Sequence, residues 1–270
     1  MDVDGYTVSI SRLCKWFGVS RSTFYYKPSQ RKPKGFDHLL SKKIREIIDR
    51  FPQYGLRRIL AMVRREWHET VNRKKVHRII KINNWQIRKS NRGQRPRVLG
   101  SISRCDDVNT RWAIDTTHIF CGRDGWCHLT AIIDCCDRQI VGWRISSRGV
   151  ADVAASVVED AVRARGINWN SSLTLRSDNG LVFGAKVFTA TARRYGINQE
   201  YITPYTPEQN GMIERWFRTL KEECVWLQTL KSRDEAFNLI ADWVDHYNQS
   251  RPHSALGYLT PCEFNLKLAA

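Results

Sequence analysis

Hydrophobic residues recur with two different periods along the 270-residue chain. Between residues 10 and 87 they return every three or four positions, which is the period of an amphipathic helix. From residue 109 onward they form runs of strand length, separated by turn signals at residues 122–125 and 137–138. The pattern therefore predicts a helical first part and a second part that mixes strands with helices.

The second part begins with three consecutive strands and then alternates helices with strands. The predicted segments are, in order, strands Trp112–Phe120, Trp126–Cys135 and Gln139–Ser146, helix Val150–Arg165, strand Leu173–Ser177, helix Ala185–Tyr195, strand Gln199–Ile202 and helix Pro207–Leu227. A further helix is predicted over residues 233–246. Thr206 can cap the predicted helix Pro207–Leu227 with its side chain. Pro207 occupies the first position of that helix, where proline is favoured. The predicted fold class is α/β, a mixed five-stranded sheet flanked by helices.

Residues 9–27 have the outline of a helix-turn-helix. An apolar face ends at Gly18, and Ser20 follows as a cap for a second helix. In that geometry the start of the second helix enters the major groove of DNA. The expected DNA contacts are therefore Arg21, Ser22, Tyr25 and Lys27. A helical hairpin that packs without touching DNA is the alternative.

Three more helical stripes follow in residues 36–87, and lysines and arginines occupy their outer faces. We interpret this segment as a second DNA-binding unit with contacts from Arg57, Arg58, Lys74 and Lys75, while a merely solvated basic face is the alternative. Residues 88–108 are predicted to be a basic linker whose cations follow phosphates without reading bases, namely Arg88, Arg92, Arg95 and Arg97. The predicted domains are residues 1–35, 36–87, 88–108 and 109–270.

Charge is segregated along the chain. The formal net charge is +17, and residues 1–104 hold 26 Lys/Arg against 7 Asp/Glu, whereas residues 105–270 hold 18 against 20. A basic half of this kind predicts a nucleic-acid partner. No apolar run is long enough to span a bilayer, and no signal peptide opens the chain, so we expect a soluble, cytoplasmic protein. The eight cysteines match no common zinc spacing and are expected as reduced thiols.

Three acids stand out by their context. Asp115 lies inside an apolar strand, Asp178 ends a strand before an Asn-Gly turn, and Glu214 follows on a predicted helix after 35 intervening residues. Carboxylates are ligands that Mg²⁺ and Mn²⁺ prefer, and two such ions can clamp the attacking and leaving oxygens of a phosphoryl transfer. Turn-capping aspartates and a solvated glutamate are the alternatives. Asp134 and Asp137 are rival acids at the end of the second strand.

These acids and their surrounding motifs resemble the DDE catalytic core of transposases and retroviral integrases. The finer pattern is similar to the second reading-frame product of IS3-family insertion sequences, most of all the IS2 branch. The similar segments are residues 54–59, 129–138, 177–180, 207–214, 246–257 and 258–261. The resemblance implies an RNase H-like catalytic core preceded by small all-α helix-turn-helix units, with the first acid on strand one, the second after strand four and the third on the late helix.

The resemblance also implies a function. A transposase of this family would bind terminal inverted repeats and target DNA, and would use two Mg²⁺ or Mn²⁺ ions per active site for 3′-end cleavage and strand transfer. Polar residues near the acids would contact the DNA, namely Asn179, Asn210, Arg218 and Lys221. A circular DNA intermediate, a homo-oligomeric synaptic complex and a fused or associated upstream-frame product are further expectations.

Two other functions stay open at this point. A DNA-binding regulator without activity is the first, and the three acids argue against it. An RNase H-like nuclease for RNA–DNA hybrids is the second. The helix-turn-helix outline argues against the nuclease, because such hybrids are recognised by shape and not by a helix in the major groove.

Overall fold

A computed structural model describes residues 2–3, 6–27, 35–87, 105–168, 172–203 and 206–269. The chain forms two compact units, residues 1–39 and 40–270, and each is described by itself. The boundaries of the four predicted domains stay a prediction. The predicted phosphate contacts of the linker lie outside the described residues, namely Arg88, Arg92, Arg95 and Arg97.

The first unit contains a two-stranded antiparallel ribbon and two short helices. Its elements are β1 (Asp2–Val3), β2 (Tyr6–Thr7), α1 (Ile10–Trp16) and α2 (Arg21–Phe24). Gly18 makes the turn between the helices with a φ of 62°, and the Ser20 hydroxyl caps α2 by accepting the Thr23 N–H at 3.1 Å. The predicted helix, glycine turn and helix are therefore confirmed. The four residues predicted here to contact DNA are all exposed, namely Arg21, Ser22, Tyr25 and Lys27.

Three helices open the second unit, as their apolar stripes predict. They are α3 (His38–Arg50), α4 (Leu56–Trp67) and α5 (Arg73–Ile82). Their inner faces form one buried cluster that includes Ile44, Ile59 and Ile79. Asn72 caps α5 through its side-chain oxygen, which accepts the Lys74 N–H at 2.8 Å. Arg57, Lys74 and Lys75 are left exposed on the outside of this three-helix unit.

A five-stranded mixed sheet forms the body of the second unit. Its strands are β3 (Arg111–Phe120), β4 (Trp126–Asp134), β5 (Ile140–Ser146), β6 (Thr174–Ser177) and β7 (Asn198–Tyr201). Their order across the sheet is β5-β4-β3-β6-β7. β3 pairs antiparallel with β4 and parallel with β6, so β3 is central. This is the RNase H-like arrangement that the sequence predicts.

Helices cover both faces of the sheet. They are α6 (Ala151–Arg165), α7 (Leu181–Gly184), α8 (Lys186–Arg194), α9 (Gly211–Glu223), α10 (Arg233–Gln249) and α11 (Pro261–Ala269). The predicted helix Pro207–Leu227 is divided, because 3-10 turns at Pro207–Asn210 and Val225–Leu227 flank α9. The short helices α7 and α11 were not predicted. In the described part of the chain no helix is both long and apolar enough to cross a membrane.

Side-chain alternation along β3 places its residues on two different faces. Trp112 and Ile114 pack into the cluster formed with α6 and α8. Ala113 and Ile119 pack into the cluster formed with α9 and α10. Since successive strand residues point to opposite faces, Asp115 lies on the same side as Ala113, facing α9. The alternation of buried residues along β3 therefore determines that Asp115 faces α9.

A buried ion cluster joins the three-helix unit to α9 and to the chain beyond α10. Glu223, the last residue of α9, accepts two hydrogen bonds from the Arg251 guanidinium, both at 2.8 Å. The same carboxylate accepts a hydrogen bond from Arg58 of α4 at 3.0 Å. Beside it, the Tyr54 hydroxyl lies 3.0 Å from His246 Nε2. Two of the similar motifs, residues 54–59 and 246–257, therefore meet each other.

Burial makes this cluster energetically demanding. Burial alone would raise the pKa of Glu223, but the hydrogen bonds and charges of Arg251 and Arg58 lower it overall. The Arg251 residue is only 3% exposed. A buried charge that loses its partner costs about 3–5 kcal/mol. The three residues therefore hold one another in place, and with them the elements that carry them.

The same cluster generates a pH prediction. Burial and then Arg251 lower the pKa of His253 to about 3. The unfolded chain binds a proton on this histidine near pH 6.5, whereas the folded chain does not until the pH nears 3, so acid favours unfolding between these values. We expect this histidine to cost about 2 kcal/mol of stability between pH 7 and pH 5. Urea unfolding at both pH values should show that loss in the wild type and not in His253→Gln.

The exposed His77 on α5 provides a matched control, because His77→Gln replaces a histidine outside the cluster. The His77 variant should lose stability on acidification as the wild type does. An equal pH dependence in His253→Gln and the wild type would contradict the prediction.

Candidate active site

Asp115 lies in the middle of the central strand. Its Oδ1 accepts the N–H of Thr116 at 2.7 Å. Burial first, and then the nearby carboxylates of Asp178 and Glu214, raise the pKa of Asp115 to about 7 against the opposing hydrogen bond from Thr116. The three predicted acids are therefore close enough for their charges to interact.

Asp178 directly follows β6, the parallel neighbour of β3. Ala113 pairs with Arg176 in that register, so Asp115 and Asp178, each two residues further on, come level where β6 ends beside the middle of β3. The Asp178 Oδ1 accepts the Gly180 N–H at 2.9 Å. The side chain of Asn179 donates to the Ile202 carbonyl at 3.0 Å, which fastens the turn to the end of β7.

Glu214 lies in the first turn of α9 and lines a cavity of about 310 Å³ together with Asp115. Lys221, two turns along the same helix, also lines this cavity. Its Nζ donates to the Thr117 hydroxyl at 2.7 Å, and burial lowers its pKa. Arg218, a further lining residue, forms an ion pair with Glu222 at 2.7 Å. We call this space the acid cavity.

Arg176 is a site residue that the sequence analysis missed. It is buried in β6, and its guanidinium donates twice to Glu200 of β7, at 3.0 and 3.1 Å. It also donates to the Gln209 carbonyl at 2.9 Å, just before α9. This one side chain therefore ties the strand that leads to Asp178 to the entrance of the helix that carries Glu214. An arginine inside an apolar strand was the available signal.

The predicted DNA contact of Asn210 is corrected by its burial. Asn210 is only 2% exposed, and its side chain donates to the Ile114 carbonyl at 3.3 Å. It therefore fastens the start of α9 to β3 and presents no surface to DNA. Arg58 also differs from expectation, since it binds Glu223 and does not point outward. Arg57, Lys74 and Lys75 remain exposed on the three-helix unit.

The rival acids have structural roles. The Asp134 carboxylate accepts the N–H groups of Asn109 and Cys136, both at 2.8 Å, and the indole N–H of Trp112 at 3.1 Å. The Asp137 carboxylate is bound by Arg165 at 2.6 Å, and both acids are fully buried. Their oxygens are occupied by the protein, which leaves Asp115 as the better metal-binding candidate.

The donor chemistry of the three acids fits a hard divalent cation. Burial and, after it, the charges of Asp178 and Glu214 raise the pKa of Asp115, and a bound cation would offset both effects. Within the described ranges, however, no three His, Cys, Asp or Glu side chains converge closely enough to hold one ion. Coordination would therefore require the three carboxylates to draw together.

Comparison with known proteins finds three domain matches. Residues 106–207 and residues 195–261 each match an integrase core domain family, and residues 36–93 match an HTH-like domain family. The two integrase core matches together span the sheet and the helices that carry the candidate acids. The HTH-like match spans the three-helix unit.

Two of the relatives are proteins of bacterial insertion elements. An insertion element IS476 protein of Xanthomonas euvesicatoria is 28% identical over 95% of this chain and 72% of its own length. The transposase InsD of the IS2 element of Escherichia coli is 29% identical over 82% of this chain and 76% of its own length. A structure of the HTLV-2 integrase catalytic core in complex with magnesium superimposes with a TM-score of 0.44, at 18% identity over 58% of this chain and 97% of that one.

The class that the fold and the matches define is that of enzymes that cut and join DNA strands. The chain belongs to the integrase core family, among the DDE transposases of the IS3 family. Its activity is polynucleotidyl transfer, and the HTH-like domain is a DNA-binding element. The integrase core family depends on divalent metal ions.

The Asp178 turn gives a prediction for this site. A Cβ at Gly180 would lie 2.9 Å from the Asp178 Oδ1, although the backbone there suits any residue. Gly180→Ala should therefore displace the carboxylate without harming the fold. Because changes beside a metal ligand cost about 10–100-fold, we expect strand joining to fall at least about tenfold. Activity assays and urea unfolding measure the two effects.

Gly184→Ala is the matched control, because a Cβ there meets nothing within 4 Å. It should keep both activity and stability. Full activity in Gly180→Ala would show that the close approach at this turn has no bearing on the reaction.

Proposed function

We propose that Asp115, Asp178 and Glu214 hold the divalent ions with which this transposase works on DNA. The observation that carries the proposal is the position of Asp115, which lies level with Asp178 across β3 and β6, lines the acid cavity with Glu214 and interacts electrostatically with both. When bound, Mg²⁺ or Mn²⁺ ions, which we infer to number two per site, neutralise charge on the reacting phosphodiester. The reaction that we infer is cleavage at the 3′ ends of the element followed by strand transfer.

The remaining residues of the acid cavity support this chemistry by position. Lys221 is held against Thr117, so its ammonium has a fixed place near Asp115 and Glu214. Arg218 is exposed at the same cavity. It can bind a phosphate after its surface ion pair with Glu222 breaks, which costs little free energy. Both cations offset the repulsion between three carboxylates and an anionic DNA strand.

We further propose that the helical parts bind the terminal inverted repeats. The exposed cations that support this are those of α2 and of the three-helix unit, Arg21, Lys27, Arg57, Lys74 and Lys75. By analogy with its family we infer a homo-oligomeric synaptic complex, target DNA as second substrate, and an upstream-frame product fused or associated. The inferred place of action is the bacterial nucleoid, in the cytoplasm.

The catalytic assignment is tested with Glu214→Gln. This change keeps the shape of the side chain and removes its charge, so metal binding and strand joining should both fail. We expect at least about a 100-fold loss of strand joining on a duplex that carries the element's own end, in the presence of Mg²⁺. Wild-type protein in EDTA should be equally inactive, while DNA binding persists. Titration with Mn²⁺ provides a readout of the ligands that does not depend on activity.

Glu222→Gln is the matched control, because Glu222 lies on the same helix and pairs only with Arg218 among the ion pairs that the structure describes. It should keep most of the activity. Normal strand joining by Glu214→Gln would refute the assignment. A wild type that binds DNA and never joins it would instead favour a regulator or a missing upstream partner.

The DNA-binding assignment predicts a steep dependence on salt. Each phosphate contact adds about −0.9 to the slope of log K against log salt, so Lys74→Ala with Lys75→Ala should make the slope shallower by about 2. Lys186→Ala, an exposed lysine at the start of α8, should leave the slope unchanged. Fluorescence anisotropy over a range of NaCl concentrations measures all three proteins. An unchanged slope in the double variant would remove these lysines from the DNA interface.

A further inference from the structure

A second cavity is lined by Glu214 and not by Asp115. It encloses about 620 Å³ between the three-helix unit, the turn that joins β4 to β5, the first half of α9 and the segment after α10. Glu214 lines both this cavity and the acid cavity. A volume of this size lies within the range of about 300–1,000 Å³ that is usual for ligand sites.

Arginines dominate the lining. Among the described residues that line it, four are arginines, Arg58, Arg138, Arg215 and Arg251, and Glu214 is the acid. We call this space the arginine cavity. Glu223 binds Arg58 and Arg251 from behind and so fixes the two guanidinium groups in the cavity wall. In the part of the chain that the structure describes, the side chains of Arg138 and Arg215 enter no ion pair, so the cavity keeps an excess of positive charge.

The backbone at Arg138 is an independent observation. Arg138 occupies the turn between β4 and β5 with a φ of 63°, in the left-handed region. Few residues other than glycine, asparagine and aspartate adopt this conformation, and such outliers concentrate at functional sites. A glycine or asparagine would fit the turn with less strain. The Arg138 side chain lines the arginine cavity, and this position in the cavity wall explains why an arginine occupies the turn.

The lining also indicates which part of a ligand it recognises. Trp216 and Tyr247 are at most 5% exposed, so their rings present little surface on which a base could stack. The Trp216 Nε1 is buried and has no acceptor among the described residues. Guanidinium groups and N–H donors suit phosphate oxygens, which they bind with charge-assisted hydrogen bonds.

We propose that the arginine cavity binds a backbone phosphate of the DNA strand next to the phosphodiester that reacts at Glu214. The proposal rests on the proposed function, because it takes Glu214 as part of the active site. Arg138 and Arg215 supply the contacts to this phosphate, and the pair Arg58 and Arg251, bound to Glu223, forms the fixed wall. The cavity thereby sets which bond along the strand lies beside the three acids.

The test replaces single phosphates by neutral methylphosphonates around the reactive bond of an element-end duplex. Binding to the full chain is measured by fluorescence anisotropy in EDTA, so the result does not depend on catalysis. In the wild type, one substituted position should weaken binding about tenfold, the value of one charged hydrogen bond. In Arg215→Ala and Arg138→Ala, unmodified DNA should bind about tenfold more weakly, and methylphosphonate at that position should cause no further loss.

Arg163→Ala provides the control, because Arg163 is an exposed arginine on α6, outside both cavities. It should show the full tenfold effect of the methylphosphonate. Arg215 is exposed on a helix, so its alanine variant tests the proposal even where Arg138→Ala folds poorly. The same methylphosphonate effect in the wild type and in Arg215→Ala would overturn the proposal, as would the absence of any sensitive phosphate beside the reactive bond. Neither result depends on whether Glu214→Gln loses activity.

Discussion

The structure depends on one partly buried carboxylate that holds two arginines. Glu223 binds Arg58 from the three-helix unit and Arg251 from the segment after α10, so three distant parts of the sequence share one charge balance. Removing any one partner leaves an uncompensated buried charge. Separating any of these parts from the others therefore costs free energy. The three-helix unit is consequently part of the catalytic body in energetic terms.

This interaction also fixes the helix that carries the third candidate acid. Glu223 ends α9, and Glu214 lies in its first turn. Between them Lys221 is bonded to Thr117 of β3, and before them Asn210 and Gln209 are bonded to Ile114 and Arg176. A helix held at both ends and in its middle presents Glu214 in a defined orientation. Any closure of the three carboxylates around a metal must then come from small movements of side chains.

Much of this arrangement could be predicted from the sequence. The strands alternate or are continuously apolar, the helices carry apolar stripes, and Ser20 caps a helix as expected, since these signals are local. The proximity of Asp115 to Asp178 follows from two neighbouring parallel strands. The partners of Arg58 and Arg176 could not be predicted, because the choice of partner by a charged residue is a long-range property. In sequence Arg58 looks like its neighbour Arg57, yet one is part of a buried ion cluster and the other is exposed.

The charge distribution around Glu214 resolves a physical difficulty of any site that combines carboxylates with DNA. Three acids repel a phosphodiester, and metal ions offset that repulsion only where they bind. The arginine cavity is lined by the same glutamate and carries an excess of positive charge, so an approaching strand meets a wall of arginines beside the acids. Attraction at a fixed place beside the acids brings the strand in and sets its register before the chemistry begins. Glu223 contributes to that register as well, because its hydrogen bonds with Arg58 and Arg251 hold half of the arginine wall in place.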